Sequence, residues 1–321
     1  MKFWISSLLL VFLFYLDIFI GSSDIAFQLD FWNISQGIEG KIMRVNRLPQ
    51  SVMAILAGGS LALSGLLLQS NFRNLLAGPS ILGISTSSML GVAVFFYFLG
   101  DVAHQTLSLP VFAFLGSLVV LMIIVILSRR VKSSYLLIIG LMLSFVASAL
   151  IDVFKFVSSQ SDLQMFSIWG LASFSNVGWL EILVVLSCLV VVFAMLQFFS
   201  RDMDKFDLGD ELALSMGVNI KTLRPIILVC SGVLVAVVTA YCGPVAFIGM
   251  AVPQIIRLFN TNMTYKALLP FTFLVGGGLA LFCNIIGKVP GSTIVLPLNT
   301  VTSLIGAPAL IITLLKSTKF D

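Results

Sequence analysis

Between Arg47 and Gly83 the chain reads RLPQSVMAILAGGSLALSGLLLQSNFRNLLAGPSILG. After Arg47, about twenty residues in succession carry no charge, the length of a membrane-helix candidate. Gly58, Gly59, Ser60, Ala62, Ser64 and Gly65 crowd its middle. Small residues at that spacing let neighbouring helix backbones approach closely, which matters where lipid supplies no hydrophobic drive between helices. The stretch is therefore expected as a helix buried against protein as well as lipid, interrupted at the polar knot Gln69 to Asn74 and stopped at Gly78-Pro79.

Hydrophobic residues make up 59% of the chain and charged ones 10%, and the apolar residues fall in repeated long runs. That excludes a water-soluble fold and points to an all-α polytopic membrane protein. The 321 residues hold about ten spans of roughly 20 residues with short connections, so residues 1–321 are expected as a single transmembrane domain. Cys188, Cys230, Cys242 and Cys283 each sit in an apolar run without a C-x-x-C pair or a neighbouring His, as core residues do. His104 lies beside Asp101 in a short loop and reads as a solvated histidine. Gly287-Lys288 is followed by Val289, so no phosphate-binding G-x-x-x-x-G-K-[ST] motif is present. Neither a metal nor a cofactor is expected on this chain, and no nucleic-acid partner.

The expected spans are Phe3–Ile20, Ser51–Ser70, Ile81–Leu99, Leu109–Leu127, Tyr135–Val157, Leu180–Phe199, Pro225–Tyr241, Val245–Phe259, Ala267–Ile286 and Val301–Leu315. The first is long for a secretory signal core and lacks an A-x-A-like cleavage site, so it reads as an uncleaved span. Asp24–Lys41 reads as an aqueous loop, and Trp169-Gly170 with Ser173–Asn176 as a short surface or re-entrant piece. With the N-terminus inside, the outer segments hold Lys41, Arg44, Arg47, Lys155 and Lys288, and the other 13 of the 18 basic residues lie inside. That bias follows the positive-inside rule and places both termini in the cytoplasm. Gly78-Pro79 after the second span and Gly243-Pro244 after the seventh form an echo of opposite orientation, as inverted repeats do in transporters.

Arg47-Leu48-Pro49, the Gly/Ser-rich second span ending at Gln69, FRNLLAGPSILGIS (Phe72–Ser85), Trp169-Gly170, ELALSMGVNI (Glu211–Ile220), CGPVAFIGMAVPQIIR (Cys242–Arg257) and SLIGAP (Ser303–Pro308) occur in this order. In them the chain resembles the FecCD-type permease subunits of ABC importers for iron-siderophore, haem and vitamin B12. The resemblance covers nearly everything after the first span. It implies two copies of a ten-helix subunit, identical or similar, around a central pathway in a bacterial cytoplasmic membrane. Two cytoplasmic ATPase subunits, carrying ATP and Mg, and an external substrate-binding protein complete the assembly.

The polar segment at about 208–223 opens with Asp210 and Glu211, suited to a helix N-terminus, and contains Ala213, Leu214, Ser215 and Gly217. A short helix with a small-residue face suits a groove on a partner, and the resemblance makes it the helix that couples to the ATPase. Arg44, Arg47 and Lys288 break the inside bias, and cations at an outer mouth are suited to pair with carboxylates on a docking protein. Simple interfacial anchoring, with the heads snorkelling to water, is the alternative. Ser64, Gln69, Ser144 and Ser148, with the Gly78-Pro79 turn, are candidates for a weakly binding pathway wall or equally for helix packing.

The chain departs from the family pattern at Gln50 (for a second arginine), Gln254 (for His), Asn284 (for Asp), Leu75 (for Pro), and in having no acid between Lys288 and Pro297. Titratable groups give way to neutral ones at several of these places, so a buried polar network is expected to persist with its charge removed. Import of an iron chelate is the first reading and vitamin B12 import the second. A stand-alone ion-coupled transporter would require acids or lysines deep within spans. The central spans look nearly free of them: Asp152 and Lys155 lie near a helix end, and Glu181 opens the sixth span.

Overall fold

The structure is a computed structural model and describes residues 2–20, 38–99, 108–175, 177–259, 263–288 and 296–317. His104, Asp101, Asn176, residues 289–295 and most of the Asp24–Lys41 loop lie outside the described residues. The elements are α1 Lys2–Phe19, α2 Ile38–Ile42, a π-helical turn Met43–Arg47, α3 Leu48–Phe72, α4 Ile84–Leu99, α5 Ser108–Ser128, α6 Ser133–Val157 and α7 Gln160–Gly170. They continue as α8 Trp179–Phe198, α9 Ser200–Phe206, α10 Asp210–Ser215, α11 Ile220–Cys242, α12 Ile248–Phe259, α13 Tyr265–Gly287 and α14 Leu298–Ser317. Among the described residues, 6 helical stretches are long and apolar enough to cross a membrane, beginning with Gly40–Phe72. Phe3–Phe19, Ile84–Leu99, Ile248–Leu258 and Leu298–Thr313 are shorter apolar helices, and the two sets together occupy the ten expected positions.

Two expected spans begin late. The third starts at Ile84 rather than Ile81 and the eighth at Ile248 rather than Val245. The 12 residues of α12 rise only about 18 Å, against roughly 30 Å of hydrocarbon core. Each of these helices follows a Gly-Pro pair, and proline both lacks an N–H and bars the preceding residue from helical backbone. Gly83 (φ 77) and Gly243 (φ 75) then turn the chain through the left-handed region that glycine tolerates. Irregular backbone survives at membrane depth when protein satisfies it. Asn299 on α14 does so for one loop, its Oδ1 accepting from the Ala246 N–H at 3.0 Å and its Nδ2 donating to the Pro244 carbonyl at 2.7 Å. Trp169-Gly170, expected as a short surface or re-entrant piece, ends the helix α7, whose start is capped by Ser159.

The centre of the molecule is α3, nearly all of whose residues are buried. Its glycines are contact points. A Cβ on Gly58 would collide with Gly276 and Ala280 of α13, and one on Gly65 with the Gly249 backbone of α12. On α11, Ser231 shares a 2.8 Å hydrogen bond with Ser64. The Arg73 end of α3 meets the Arg224 end of α11 through a shared partner, so the two helices run antiparallel, each followed by its Gly-Pro turn. This is the opposed orientation that the sequence echo suggested.

Candidate functional site at the two ends of the central helix

Polar side chains gather at both ends of α3. Ser51 and Ser70 mark the two clusters, and 19 helical steps separate them by roughly 29 Å, about the thickness of a bilayer core.

At the first end, Asp17 near the C-terminus of α1 is 0% exposed. Its carboxylate receives Asn284 Nδ2 at 2.9 and 3.0 Å, Ser51 Oγ at 2.6 Å and Lys288 Nζ at 2.9 Å. Lys288 Nζ also donates to the Asp17 carbonyl at 3.0 Å. Arg47 Nη1 donates to the carbonyls of Ile18 and Phe19, both at 2.9 Å, which the end of α1 leaves without intrahelical partners. Gln50 Nε2 donates to Asn284 Oδ1 at 3.3 Å. Burial pulls the Lys288 ammonium, one residue beyond the end of α13, below its ordinary value, and the Asp17 carboxylate opposes that shift.

This cluster corrects two expectations. Arg47 (5% exposed) and Lys288 (7% exposed) are not surface cations here; they staple α1 to the start of α3 and the end of α13. Of the three proposed docking residues, Arg44 presents its side chain to solvent. The polar network does persist around Gln50 and Asn284, as expected, but its negative charge has not vanished, because Asp17 supplies it. Asp17 was the residue that sequence reasoning missed. Its signal was a lone carboxylate inside an apolar run, which by itself marks a functional position.

At the second end, the segment after α8 folds into α9 and α10 and is tied to three long helices. Asp210 accepts from Arg73 Nη2 at the end of α3 (2.6 Å) and from Arg224 Nη2 in α11 (3.0 Å). Asp207 accepts from Ser70 Oγ and, at 2.9 Å, from Tyr265 Oη of α13, and Asp204 Oδ1 accepts the Tyr265 N–H at 2.7 Å. Ala213, expected on an outward small-residue face, is 0% exposed and packs inward. Glu211, Leu214, Ser215 and Gly217 are exposed. The outward apolar surface consists of Leu208, Leu212, Leu214 and Met216, with Leu212 53% exposed.

The pathway candidates separate. Ser64 is sealed against Ser231. Gln69 is buried, its Nε2 donating to the Met250 carbonyl (3.1 Å) and its Oε1 accepting from Gln254 Nε2 (3.1 Å), which also donates to the Leu75 carbonyl (2.9 Å). Gly78 and Pro79 are buried against Met250 and Gly249. All four are buried against neighbouring helices within this chain. Ser144 is half-buried and back-bonded to the Gly140 carbonyl at 3.1 Å, and Ser148 lies on the exposed face of α6.

A model of the FecCD transport family matches residues 9–316. The chain is 32% identical over 273 residues to the vitamin B12 import system permease protein BtuC of Klebsiella pneumoniae subsp. pneumoniae, covering 84% of this chain and 81% of that one. It is 32% identical over 275 residues to the hemin transport system permease protein HmuU of Yersinia pestis, covering 82% and 79%. A solved metal-chelate type ABC transporter in an inward-facing conformation superposes with a TM-score of 0.85 at 27% identity, covering 98% of each chain. PsaBC from Streptococcus pneumoniae shares the fold at a TM-score of 0.54 and 16% identity.

Proposed function

Given that the chain belongs to the FecCD transport family, we propose that it is the permease subunit of an importer that carries an iron chelate, siderophore or haem, inward across the bacterial cytoplasmic membrane. It is a multi-pass transport subunit of an ABC system, which works with ATPase and permease partners. Two copies of this subunit, or this one with a close relative, enclose the cargo pathway. Two ATPase subunits carrying ATP and Mg sit on the α9–α10 end, which faces the cytoplasm together with both termini. A binding protein delivers cargo to the opposite end.

The observation that carries this reading is the construction of α10. Leu212 and Leu214 are exposed on it beside Glu211 and Ser215, with exposed Leu208 and Met216 on either side, while Asp207, Asp210 and Asp204 tie its neighbourhood to α3, α11 and α13. A partner gripping Leu208, Leu212 and Met216 would hold a handle on the central helices. The pathway wall falls to the exposed face of α6 with Ser148 and Ser144, where few charges and weak donors would let a bulky chelate slide. Cobalamin import by the same architecture is compatible with the relatives. Uptake in vesicles containing permease, ATPase and binding protein, assayed with haem, a ferric siderophore and cobalamin, tests the reading. ATP-dependent uptake of an iron chelate is the expected result. Uptake without ATPase, driven by a proton or sodium gradient, would refute it.

A further inference from the structure

Resting on that reading, we propose that Asp210 is a positioning residue, a clamp that passes displacement of α10 into α3 and α11 rather than a contact for the ATPase. Its two carboxylate oxygens are engaged separately, Oδ1 by Arg73 at 2.6 Å and Oδ2 by Arg224 at 3.0 Å. Both guanidiniums also lie over the Phe206 ring, at 5.7 and 5.9 Å from its centroid, and Arg73 Nη2 donates to the Phe206 carbonyl at 3.3 Å. Phe206 itself is buried at the end of α9. One carboxylate and one ring therefore gather the ends of α3, α9 and α11 around the first residue of α10.

Two further features show that this junction is built. Arg73 closes α3 in the left-handed backbone conformation (φ 44), which a non-glycine residue adopts only at an energetic cost. That turn leaves its side chain on Asp210. The covalent entry to α10 runs through Gly209, whose N–H donates to the Phe206 carbonyl at 3.2 Å. Gly209 has φ 126, and nothing lies within 4 Å of where its Cβ would be. Ala213 packs α10 against the core, and the Asp210 tie adds the direct link from α10 to α3 and α11. The side chains of Arg73 and Asp210 are 46% and 42% exposed and that of Arg224 15%, so the tie contributes direction more than strength. A shift of α10 therefore strains both arms unless α3 and α11 follow.

The experiment uses the complete transporter in vesicles and, in parallel, the permease carrying nitroxide labels at Ser215→Cys and Asn74→Cys, both exposed positions. The native permease should give a narrow label-to-label distance distribution. Arg73→Gln with Arg224→Gln should broaden it, while Arg73→Lys, which keeps a cation within reach of Asp210, should not. In vesicles the double glutamine variant should lose at least about fivefold in cargo moved per ATP hydrolysed, the lower range of a coupling free energy, and Arg73→Lys should retain most of it. An unchanged distance distribution in the double variant overturns the clamp. So does a fall in uptake and hydrolysis by the same factor, or loss of ATPase binding, since Asp210 would then serve the docking surface. The label distances need no ATPase, so a native protein that imports without one would defeat the function reading and leave the tie itself to be decided by the labels.

Discussion

Lys288 Nζ stands 2.9 Å from Asp17 Oδ1, and both side chains are withdrawn from solvent. Residues 271 positions apart thus fasten the first helix to the end of α13. Burying two charges is costly, and such a pair is tolerable only where further hydrogen bonds satisfy it, as Asn284 and Ser51 do here.

Asp17→Asn should therefore leave the Lys288 ammonium buried without a counter-charge and destabilise the protein by about 3–5 kcal/mol, read as a lowered melting temperature in detergent. Asn284 donates to both Asp17 oxygens, so Asp17→Asn combined with Asn284→Asp returns a carboxylate to the same pocket. The double variant should recover most of the loss. A single variant that melts with the native protein would show that the pair contributes nothing.

The glycine seam gives a contrast within one helix family. Gly65→Ala forces a methyl into the Gly249 backbone, and Gly276→Ala one into Ala62 and the Gly58 carbonyl. Each should cost about 1–3 kcal/mol by overpacking. Gly278 has only Leu13 at 4.0 Å from its would-be Cβ, so Gly278→Ala should be neutral or gain about 0.5–1 kcal/mol from backbone entropy. Equal melting temperatures for all three would contradict the seam.

The fold was legible because membrane burial writes itself in long runs. The small residues of α3 and the Gly-Pro stops each have one physical meaning, and the structure gives them that meaning. The short starts of α4 and α12 were not legible, since hydropathy counts apolar residues whether or not their backbone is helical. Side-chain partners were harder still. Arg47 and Lys288 look like surface cations in one dimension, and only the fold brings Asp17 between them from a helix at the far end of the chain. Ala213 misled for a similar reason. A small residue in a short helix suits a foreign groove or its own core equally well, and the choice is made by which way six residues of helix are rolled.

The roll of α10 predicts opposite behaviour for adjacent positions. Leu212→Asp places a charge on the exposed apolar side and should weaken ATPase binding by about 2 kcal/mol, roughly thirtyfold in Kd, with no change in melting. Ala213→Leu should instead lower the melting temperature by overpacking, about 1–3 kcal/mol. Pull-down titrations and melting curves on both variants distinguish the two, and the reverse assignment would mean that α10 is rolled the other way.

The outer cations divide in the same manner. Arg44 is exposed on the turn before α3, beside exposed Lys41, whereas the Arg47 guanidinium caps the end of α1. Arg44→Glu should slow association of the binding protein by about tenfold at low salt and flatten its salt dependence, since exposed charges act mainly on encounter. Stability should not change. Arg47→Glu reverses a buried cation and sets a carboxylate against the Ile18 and Phe19 carbonyls, so it should unfold the α1 contact and lower the melting temperature whether or not a binding protein is present. If Arg47→Glu melted normally and weakened docking selectively, Arg47 would be a docking residue after all, and its burial in the isolated chain would be a state that the binding protein opens.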